Sequence, residues 1–194
     1  MPAQVLILYH SRHGSVQLLA EKIAIGVQSA GAEALLRTVA AITPNPVHSP
    51  AHPVVSKAEL TQANAIAIGS PVRFGQMSVE MKYFWEQTTD LWLQGALIDK
   101  PAGVFTASSS MHGGQEANLL GMMLPLLHHG MVLLGQPYDA PALHQTQSGG
   151  TPYGPTHVST HAGSQQQGPQ LSNHESILCL EFGKRLARFA GKLQ

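Results

Sequence analysis

Five short strand-like segments, each followed by a helix-like one, constrain the fold of this chain more than any other feature of its sequence. The strand-like segments are mostly apolar and occupy residues 5–9, 33–39, 65–69, 102–107 and 131–134. Short apolar runs of this kind suit strands that are buried on both faces of a sheet. The helix-like segments show helical spacing or a capping-box start, and they occupy residues 16–28, 56–61, 78–93, 117–129 and 172–192. Because crossovers between parallel strands are right-handed, the alternation predicts an α/β fold: a doubly wound, five-stranded parallel sheet with helices on both faces.

The length and composition of the chain fit a single domain. A chain of 194 residues that is 43% hydrophobic has enough apolar side chains for one core. Residues 40–56 are rich in proline, and residues 136–170 are rich in Gly, Pro, Ser, Thr and Gln. Loops this long inside a compact domain are usually functional or mobile. We therefore predict one domain over residues 1–194 with two long loops.

The charge balance and the cysteine content argue against several kinds of partner. Lys plus Arg and Asp plus Glu each number 11, and a net charge of zero disfavours nucleic-acid binding through phosphate neutralisation. The single cysteine, Cys179, permits no internal disulfide, which suits a reducing cytoplasm. No apolar segment is long enough to span a membrane. His48 and His52 are spaced i, i+4, but they lie in a proline-rich loop, so we expect no metal site.

The segment Ser11-Arg12-His13-Gly14-Ser15-Val16 has the features of a phosphate-binding loop. It joins a buried strand to a helix N-terminus, where backbone N–H groups and the helix dipole favour an anion. Gly14 permits close approach of a ligand, the serine hydroxyls can donate hydrogen bonds, and Arg12 adds charge. The segment lacks both G-K-[ST] and G-x-G-x-x-G, so it is neither a Walker loop nor a dinucleotide fingerprint. A plain turn with Ser15 as the helix N-cap is the alternative.

Two further segments leave the same edge of the predicted sheet. Residues 70–75 combine Pro, Arg, Phe and Gly in a rigid turn with an aromatic edge, and residues 108–115 offer small and amide side chains. Taken alone, the first suits a packed turn and the second suits a solvated loop equally well. Ligands of open parallel sheets bind beyond the carboxyl ends of the strands. Three such loops together suit a phosphate, a ribityl chain and a flat heteroaromatic ring, which is the description of FMN.

The chain resembles the WrbA family of NAD(P)H:quinone oxidoreductases, within the flavodoxin-like superfamily. The resemblance covers essentially the whole chain and rests on the stretches VLILYHSRHGS, GSPVRFGQMS, DLWLQGAL, FTASSSMHGGQE, LLHHGMV and GGTPYG. It implies a flavodoxin-like sheet with strand order 2-1-3-4-5. It also implies FMN as cofactor, NADH or NADPH as electron donor, a quinone as acceptor, and a homotetramer with flavin sites near subunit contacts.

The same resemblance implies roles for individual residues. The FMN phosphate would lie against Ser11, Arg12, His13, Gly14, Ser15 and Val16. One part of the flavin ring would lie against Val72, Arg73 and Phe74, and its other edge against Ser108, Ser109, Ser110, Met111, His112 and Gly113. His128 would reach the flavin region, either of its own subunit or of a neighbouring one. His13 would contact the nicotinamide cofactor, and Trp92 would contact the quinone.

The sequence therefore predicts an FMN-dependent enzyme that passes two electrons from NAD(P)H to a quinone. The two substrates would use one open face of the flavin in turn, and His13 or His128 would supply a proton to the product. No residue is assigned as a certain catalyst. One alternative is a flavodoxin-type electron carrier, which the zero net charge disfavours. The other is a regulatory flavin-binding interaction protein, for which the chain supplies no basic recognition helix.

Overall fold

A parallel sheet covered by helices forms the body of the protein. The computed structural model describes residues 2–42, 51–159 and 169–193. Its strands are β1 (Gln4–Tyr9), β2 (Glu33–Thr38), β3 (Ala65–Pro71), β4 (Pro101–Ser108), β5 (Val132–Leu133) and β6 (Thr156–Val158). Its helices are α1 (Ser15–Ser29), α2 (Lys57–Gln62), α3 (Val79–Glu86), α4 (Thr89–Leu93), α5 (Gln115–His128), α6 (Pro141–Gln145) and α7 (Asn173–Lys192). No helix within these ranges is long and apolar enough to cross a membrane.

The strand order is β2-β1-β3-β4-β5 with every pairing parallel, as predicted. Tyr9 lies beside Gly69, and Gly69 lies beside Phe105, so β1, β3 and β4 end at nearly the same level. The chain moves outward from β1 to β2 and then returns to the other side of β1 with β3. The switch point of the sheet therefore lies between β1 and β3, where ligands of such folds bind.

The sheet contains one strand more than the sequence predicted. β5 pairs with the first two residues of β4, whereas β6 pairs with Thr106, Ala107 and Ser108 at its other end. Two short strands therefore share one edge of β4, and α6 lies in the segment between them. The stretch predicted as a loop over 136–170 thus contains a helix and a strand. Three residues of β6 are too few to produce a recognisable period in the sequence.

The helix predicted over 78–93 is two helices, α3 and α4. The side chain of Thr88 donates a hydrogen bond of 2.7 Å to the carbonyl of Trp85, and its backbone N–H donates to the same carbonyl at 3.1 Å. The hydroxyl also lies 2.9 Å from Nε2 of the buried His129. A threonine that bonds to the backbone one turn earlier competes with the helical pattern. The contact with His129 holds the Thr88 hydroxyl in this orientation, and α3 ends at Glu86.

Two apolar cores lie on opposite faces of the sheet. One joins α1 and α7 to β1, β3 and β4 around Phe105 and Phe182, and the other joins α2, α3, α4 and α5 around Met81 and Leu119. The helices α1 and α7 cross in close contact, because a Cβ at Gly26 would lie 2.3 Å from the carbonyl oxygen of Leu180. At their carboxyl ends, β1, β3 and β4 continue into loops before the next helix begins. The candidate site lies at this edge.

Candidate functional site

Three loops meet at the carboxyl edge of the sheet, as the sequence predicted. We call residues 10–14 the first loop, residues 72–78 the second loop and residues 109–114 the third loop; they follow β1, β3 and β4. The second loop is tied to β4 by a hydrogen bond of 2.9 Å from the N–H of Val72 to the carbonyl of Ala107. The second and third loops touch, since a Cβ at Gly114 would lie 3.2 Å from the Cα of Gly75. The second and third loops therefore form one continuous surface, and the first loop follows β1, which pairs with β3.

The first loop delivers an uncapped helix N-terminus to this surface. Gly14 is the N-cap of α1, has a φ of +89° and makes no side-chain cap. Its own N–H donates to Oγ of Ser11 at 3.1 Å, which closes the loop. The first N–H groups of a helix have no acceptor within the helix. Ser15 and Val16, in the first turn, therefore present backbone donors to a ligand, while Arg12 and His13 are exposed beside them.

The third loop repeats this arrangement at the start of α5. Gly114 is its N-cap, with a φ of +90° and no side-chain hydrogen bond. By contrast, the N-termini of α2, α3 and α7 are capped by the side chains of Ser56, Ser78 and Ser172. The short helices α4 and α6 also lack a side-chain cap. The uncapped starts of α1 and α5 are the ones that follow β1 and β4 at the sheet edge, with their first N–H groups available. This pattern suits a ligand with an anionic or strongly polar edge.

The second loop holds an exposed aromatic ring in a strained turn. Arg73 and Gln76 exchange backbone hydrogen bonds of 2.8 and 3.0 Å around Phe74 and Gly75. Both central residues have positive φ, +51° for Phe74 and +78° for Gly75. This is the geometry of a type I′ turn, which rarely accepts a bulky residue at its centre. The Phe74 side chain is nevertheless fully exposed. Strain and exposure together make Phe74 a candidate contact residue of the site.

A buried hydrogen-bond network supports the second and third loops from below. The hydroxyl of Thr106 donates to the carbonyl of Ser70 at 2.6 Å, and the amide of Asn118 donates to Oγ1 of Thr106 at 2.7 Å. Oγ of Ser108 donates to the carbonyl of Ser110 at 2.6 Å and accepts from the amide of Gln115 at 2.8 Å. Gln115 belongs to the 108–115 segment that was predicted for its amide, whereas Thr106 and Asn118 were not predicted as site residues. Apolar neighbours hide such residues in a sequence, and only their burial identifies them.

The predicted members of the third loop fall into two groups. Ser108 is buried at the end of β4, and Gly113 is half-buried. Ser109, Ser110, Met111 and His112 are exposed at the rim of the site. The N–H of Gly113 donates to the carbonyl of Ser110 at 3.2 Å, which folds the loop back on itself. The exposed members can therefore contact a ligand edge without moving the strand.

A histidine that the sequence analysis passed over lies where the first loop meets the second. His10 Nδ1 lies 3.6 Å from Oε2 of Glu80 in the first turn of α3. This distance exceeds a hydrogen bond, and Nδ1 is buried with no hydrogen-bond partner in the structure. Burial lowers the pKa of His10 below its usual value, Glu80 raises the pKa, and Arg73 and Arg12 lower it again. The alternation of side chains along β1 was the signal that could have located it.

Trp92 and His128 lie in a different place from the other predicted site residues. Both line a groove of about 650 Å³ between α3, α4 and α5, whose walls include Lys82, Trp85, Leu124 and His129. His128 ends α5, which begins at the third loop, and a helix of 14 residues is about 20 Å long. Within one chain His128 is therefore far from the third loop. The groove also includes Gln76 and Met77 of the second loop.

His48 and His52 are the i, i+4 pair for which we expected no metal site. His48 lies outside the described residues. His52 uses Nδ1 for a hydrogen bond of 2.7 Å with the hydroxyl of Tyr9. Burial, and then the charge of Glu21, raise the pKa of Tyr9 to about 12, so this hydroxyl keeps its proton. Across residues 2–42, 51–159 and 169–193, no three His, Cys, Asp or Glu side chains are grouped so as to hold a metal ion.

Comparison with known proteins gives consistent relatives. The family model described as NADPH-dependent FMN reductase matches residues 3–140. The chain is 40% identical over 202 residues to a NAD(P)H dehydrogenase (quinone) of Chromohalobacter salexigens, covering 98% of each protein. It is also 40% identical over 204 residues to a protein of the same name from Geobacter sulfurreducens, covering 97% of this chain and 98% of that one.

Solved structures agree with the fold. A flavodoxin, WrbA-like protein from Agrobacterium tumefaciens superposes with a TM-score of 0.72 at 22% identity, over 99% of each chain. A flavodoxin from the domain Archaea superposes with a TM-score of 0.65 at 18% identity, over 97% of this chain and 99% of that one. At these identities the likeness establishes a flavodoxin-like fold.

Proposed function

The chain belongs to the NADPH-dependent FMN reductase family, and from that membership we propose that it uses FMN to pass two electrons from NAD(P)H to a quinone. The family agrees with the resemblance to the WrbA quinone oxidoreductases. The proposed electron donor and acceptor are those in the names of the full-length relatives. The structural observation that carries the proposal is the uncapped start of α1 at Gly14, which lies at the same sheet edge as the second and third loops.

The donor groups at this edge fit FMN. The phosphate would accept hydrogen bonds from the N–H groups of Ser15 and Val16 and from Oγ of Ser11 and Ser15, with Gly14 leaving room for its oxygens. Arg12 and His13 are exposed beside these donors and would add positive charge. An anion at a helix N-terminus gains about 0.3–1 kcal/mol from the helix dipole, in addition to its hydrogen bonds.

The flavin ring would lie between the second and third loops. Val72 and Arg73 would contact one part of it, and Phe74 would contact it or a flavin ring of a neighbouring subunit. The rim residues Ser109, Ser110, Met111 and His112 would contact its polar edge, supported by Ser108 and Gly113. Bound FMN would supply the two-electron chemistry between the nicotinamide and the quinone, so no protein nucleophile would be required.

The residues of this chain then have positioning and electrostatic work to do. Backbone N–H groups at the start of α5 and the charge of Arg73 would stabilise negative charge that develops at the edge of the ring. His13 would contact the nicotinamide cofactor at the exposed side of the first loop. Arg73 is exposed, and its guanidinium donates a hydrogen bond of 3.4 Å to the carbonyl of Val72. Among the described residues, no carboxylate forms an ion pair with Arg73.

We further propose that the protein is a homotetramer in which Trp92 and His128 serve the flavin site of a neighbouring subunit. Their groove reaches Gln76 and Met77 of the second loop, whereas His128 lies at the opposite end of α5 from the third loop. The exposed face of α5 carries Leu120, Leu124 and Leu127, an apolar stripe unusual for a surface helix. In such a tetramer, Trp92 would contact the quinone and His128 would supply its proton. The single buried Cys179 fits a reducing compartment, and we infer the cytoplasm.

A visible spectrum tests the proposal directly. The full-length protein is mixed with FMN, desalted, and treated without oxygen first with NADH or NADPH and then with benzoquinone in the same cuvette. We expect the protein to retain the yellow flavin, to bleach with the nicotinamide donor and to regain its colour with benzoquinone. Loss of all flavin on desalting, with no quinone-dependent oxidation of NADH or NADPH, would contradict the proposal.

A further inference from the structure

We propose that His10 is a proton-coupled positioning residue of the FMN site, neutral in the free protein and protonated when an anionic ligand joins the three loops. In that state it would act as a third cationic group beside Arg12 and Arg73, with Glu80 holding the ring. The inference rests on the proposed function, because it assigns the anion to the FMN phosphate. None of the relatives' names assigns a role to this residue.

The position of His10 is set by the strand before it. Leu6 and Leu8 point into the core on the α3 side of the sheet, so the alternation of β1 directs His10 to the same side. The backbone N–H of His10 donates to the carbonyl of Gly69 at 2.9 Å, which continues the pairing with β3 for one more residue. The ring is therefore held at the start of α3, and the next residue, Ser11, begins the phosphate-binding segment.

The charges around the ring come from three elements. Glu80 faces it from the first turn of α3, Arg73 from the second loop and Arg12 from the first loop. Burial favours the neutral ring, and so do the two guanidinium groups, whereas the carboxylate favours the charged ring. These contributions to the protonation of His10 oppose one another. The His10 side chain is only 19% exposed, so water screens them weakly. An added negative charge nearby then has a direct effect on whether the ring carries a proton.

Linkage turns this geometry into a measurable coupling. A ligand that binds the protonated form of His10 more tightly must take up protons when it binds, and its affinity must rise as the pH falls. If the phosphate raises the pKa of His10 by about one unit, the uptake peaks at about half a proton and the affinity changes about tenfold across the transition. Glu80 strengthens the effect, because its carboxylate can form a hydrogen bond with the protonated ring after a small movement.

Titration calorimetry provides the first test. FMN is titrated into the full-length chain freed of flavin, between pH 6 and 8, in two buffers whose ionisation enthalpies differ. We expect the wild type to take up protons relative to His10→Asn, and Glu80→Gln to move this uptake to lower pH. His144→Asn on α6, outside the three loops, is the matched histidine control and is expected to behave as wild type. The second ionisation of the phosphate, near pH 6, contributes to all variants alike, so the difference between variants isolates His10.

Nuclear magnetic resonance of the histidine rings provides a second test that needs no variant to fold. The His10 ring is titrated alone, with saturating FMN and with saturating riboflavin, which lacks the phosphate. We expect FMN to raise the pKa of His10 and riboflavin to leave it unchanged. Equal proton uptake in wild type and His10→Asn, or an equal pKa rise with riboflavin, would overturn the inference and leave the FMN site intact. Failure of FMN to bind to the wild type would instead overturn the proposed function.

Discussion

At the scale of single residues, Phe74 combines a strained backbone with a fully exposed ring. A bulky residue with positive φ costs about 1–3 kcal/mol, and a fully exposed ring recovers none of this through burial. The neighbouring Gly75 adopts the same region without that cost, because glycine has no Cβ. The turn would therefore be more stable with another residue at position 74, which makes the substitution informative.

We predict that Phe74→Asn stabilises the flavin-free protein and slows quinone reduction. Asparagine tolerates the left-handed conformation, so the free energy of unfolding should rise by about 1 kcal/mol. Urea unfolding measures this change, and steady-state rates with benzoquinone measure the loss of activity. Phe74→Leu is the control, since leucine keeps the strain and should bring no gain in stability. An asparagine variant with wild-type stability and rate would show that the ring has neither the strain nor the contact.

We predict that Ser15→Glu abolishes FMN binding while the fold survives. Ser15 is the first residue of α1, whose first turn contains no acidic residue. A carboxylate at this position interacts favourably with the helix dipole, so the free energy of unfolding should change by no more than about 0.5 kcal/mol. The same carboxylate repels a phosphate at the first loop. Urea unfolding and quenching of FMN fluorescence give the two readouts, with Ser15→Ala as control. A yellow Ser15→Glu protein would place the phosphate elsewhere.

At the scale of elements, the start of α7 holds β6 in position through one buried carboxylate. Oε1 of Glu175 accepts hydrogen bonds from the N–H groups of Gly149 and Val158 at 2.9 and 3.1 Å. Oε2 accepts from the N–H of Ser172 at 2.8 Å and lies 3.0 Å from Nδ1 of His157. β6 in turn supports the third loop, because the N–H of Ser159 donates to the carbonyl of Ser108 at 2.8 Å. The cap at the start of α7, outside the three loops, thereby helps to fix the candidate site.

We predict that this carboxylate makes the protein sensitive to acid. Burial alone would raise the pKa of Glu175, but the hydrogen bonds from His157, Ser172 and Val158 lower it to about 2 from the ordinary 4.5. Because the pKa of Glu175 is lower in the folded state than in the unfolded state, its ionised carboxylate stabilises the fold at pH values above 4.5. This stabilisation is lost as the pH falls from 4.5 towards 2. The shift corresponds to roughly 3 kcal/mol.

Urea unfolding between pH 3 and 6 tests this prediction. Glu175→Gln should lower stability at pH 6 and reduce its dependence on pH below 4.5. Glu181→Gln, an exposed position on the same helix that pairs with Lys184 at 2.8 Å, is the matched control and should keep the wild-type slope. Identical slopes in Glu175→Gln and wild type would show that another group governs acid unfolding.

At the scale of the whole molecule, the helices cover the two faces of the sheet differently. The α1 and α7 side is closed by tight helix packing, whereas the α3 to α5 side exposes an apolar stripe and an open groove. Leu124 is 59% exposed and lines that groove. Exposed leucines on one face of a helix favour association with another subunit. The arrangement of the whole molecule thus supports a site completed by a second copy of the chain.

We predict that Leu124→Glu prevents assembly without unfolding the subunit. A buried, unpaired carboxylate at a subunit contact costs several kcal/mol, whereas on an exposed surface it costs little. Sedimentation velocity should give a tetramer for wild type and a smaller species for the variant, with unchanged circular dichroism. Ile25→Glu, at a half-exposed position on α1, is the matched control and should remain a tetramer. Equal masses for wild type and Leu124→Glu would remove this stripe from the interface.

The sequence alone determined the features that depend on neighbouring residues. The strand runs and the capping boxes at Ser56 and Ser172 follow from short-range periodicity and hydrogen bonding, whereas the strand order was implied by the family resemblance. The structure contains them all. The three loops were also predictable, because parallel strands place their carboxyl ends at one edge. The chemistry assigned to the loop residues stays a prediction, which the experiments above address.

Only the tertiary structure decided the features that join distant parts of the chain. The helix break at Thr88 depends on His129, 41 residues away, and the buried carboxylate of Glu175 accepts a hydrogen bond from Gly149, 26 residues earlier. β6 is a strand because β4 offers it a free edge, and His10 meets Glu80 because α3 starts beneath the first loop. Such contacts form only when packing brings the segments together, so no local pattern in the sequence records them.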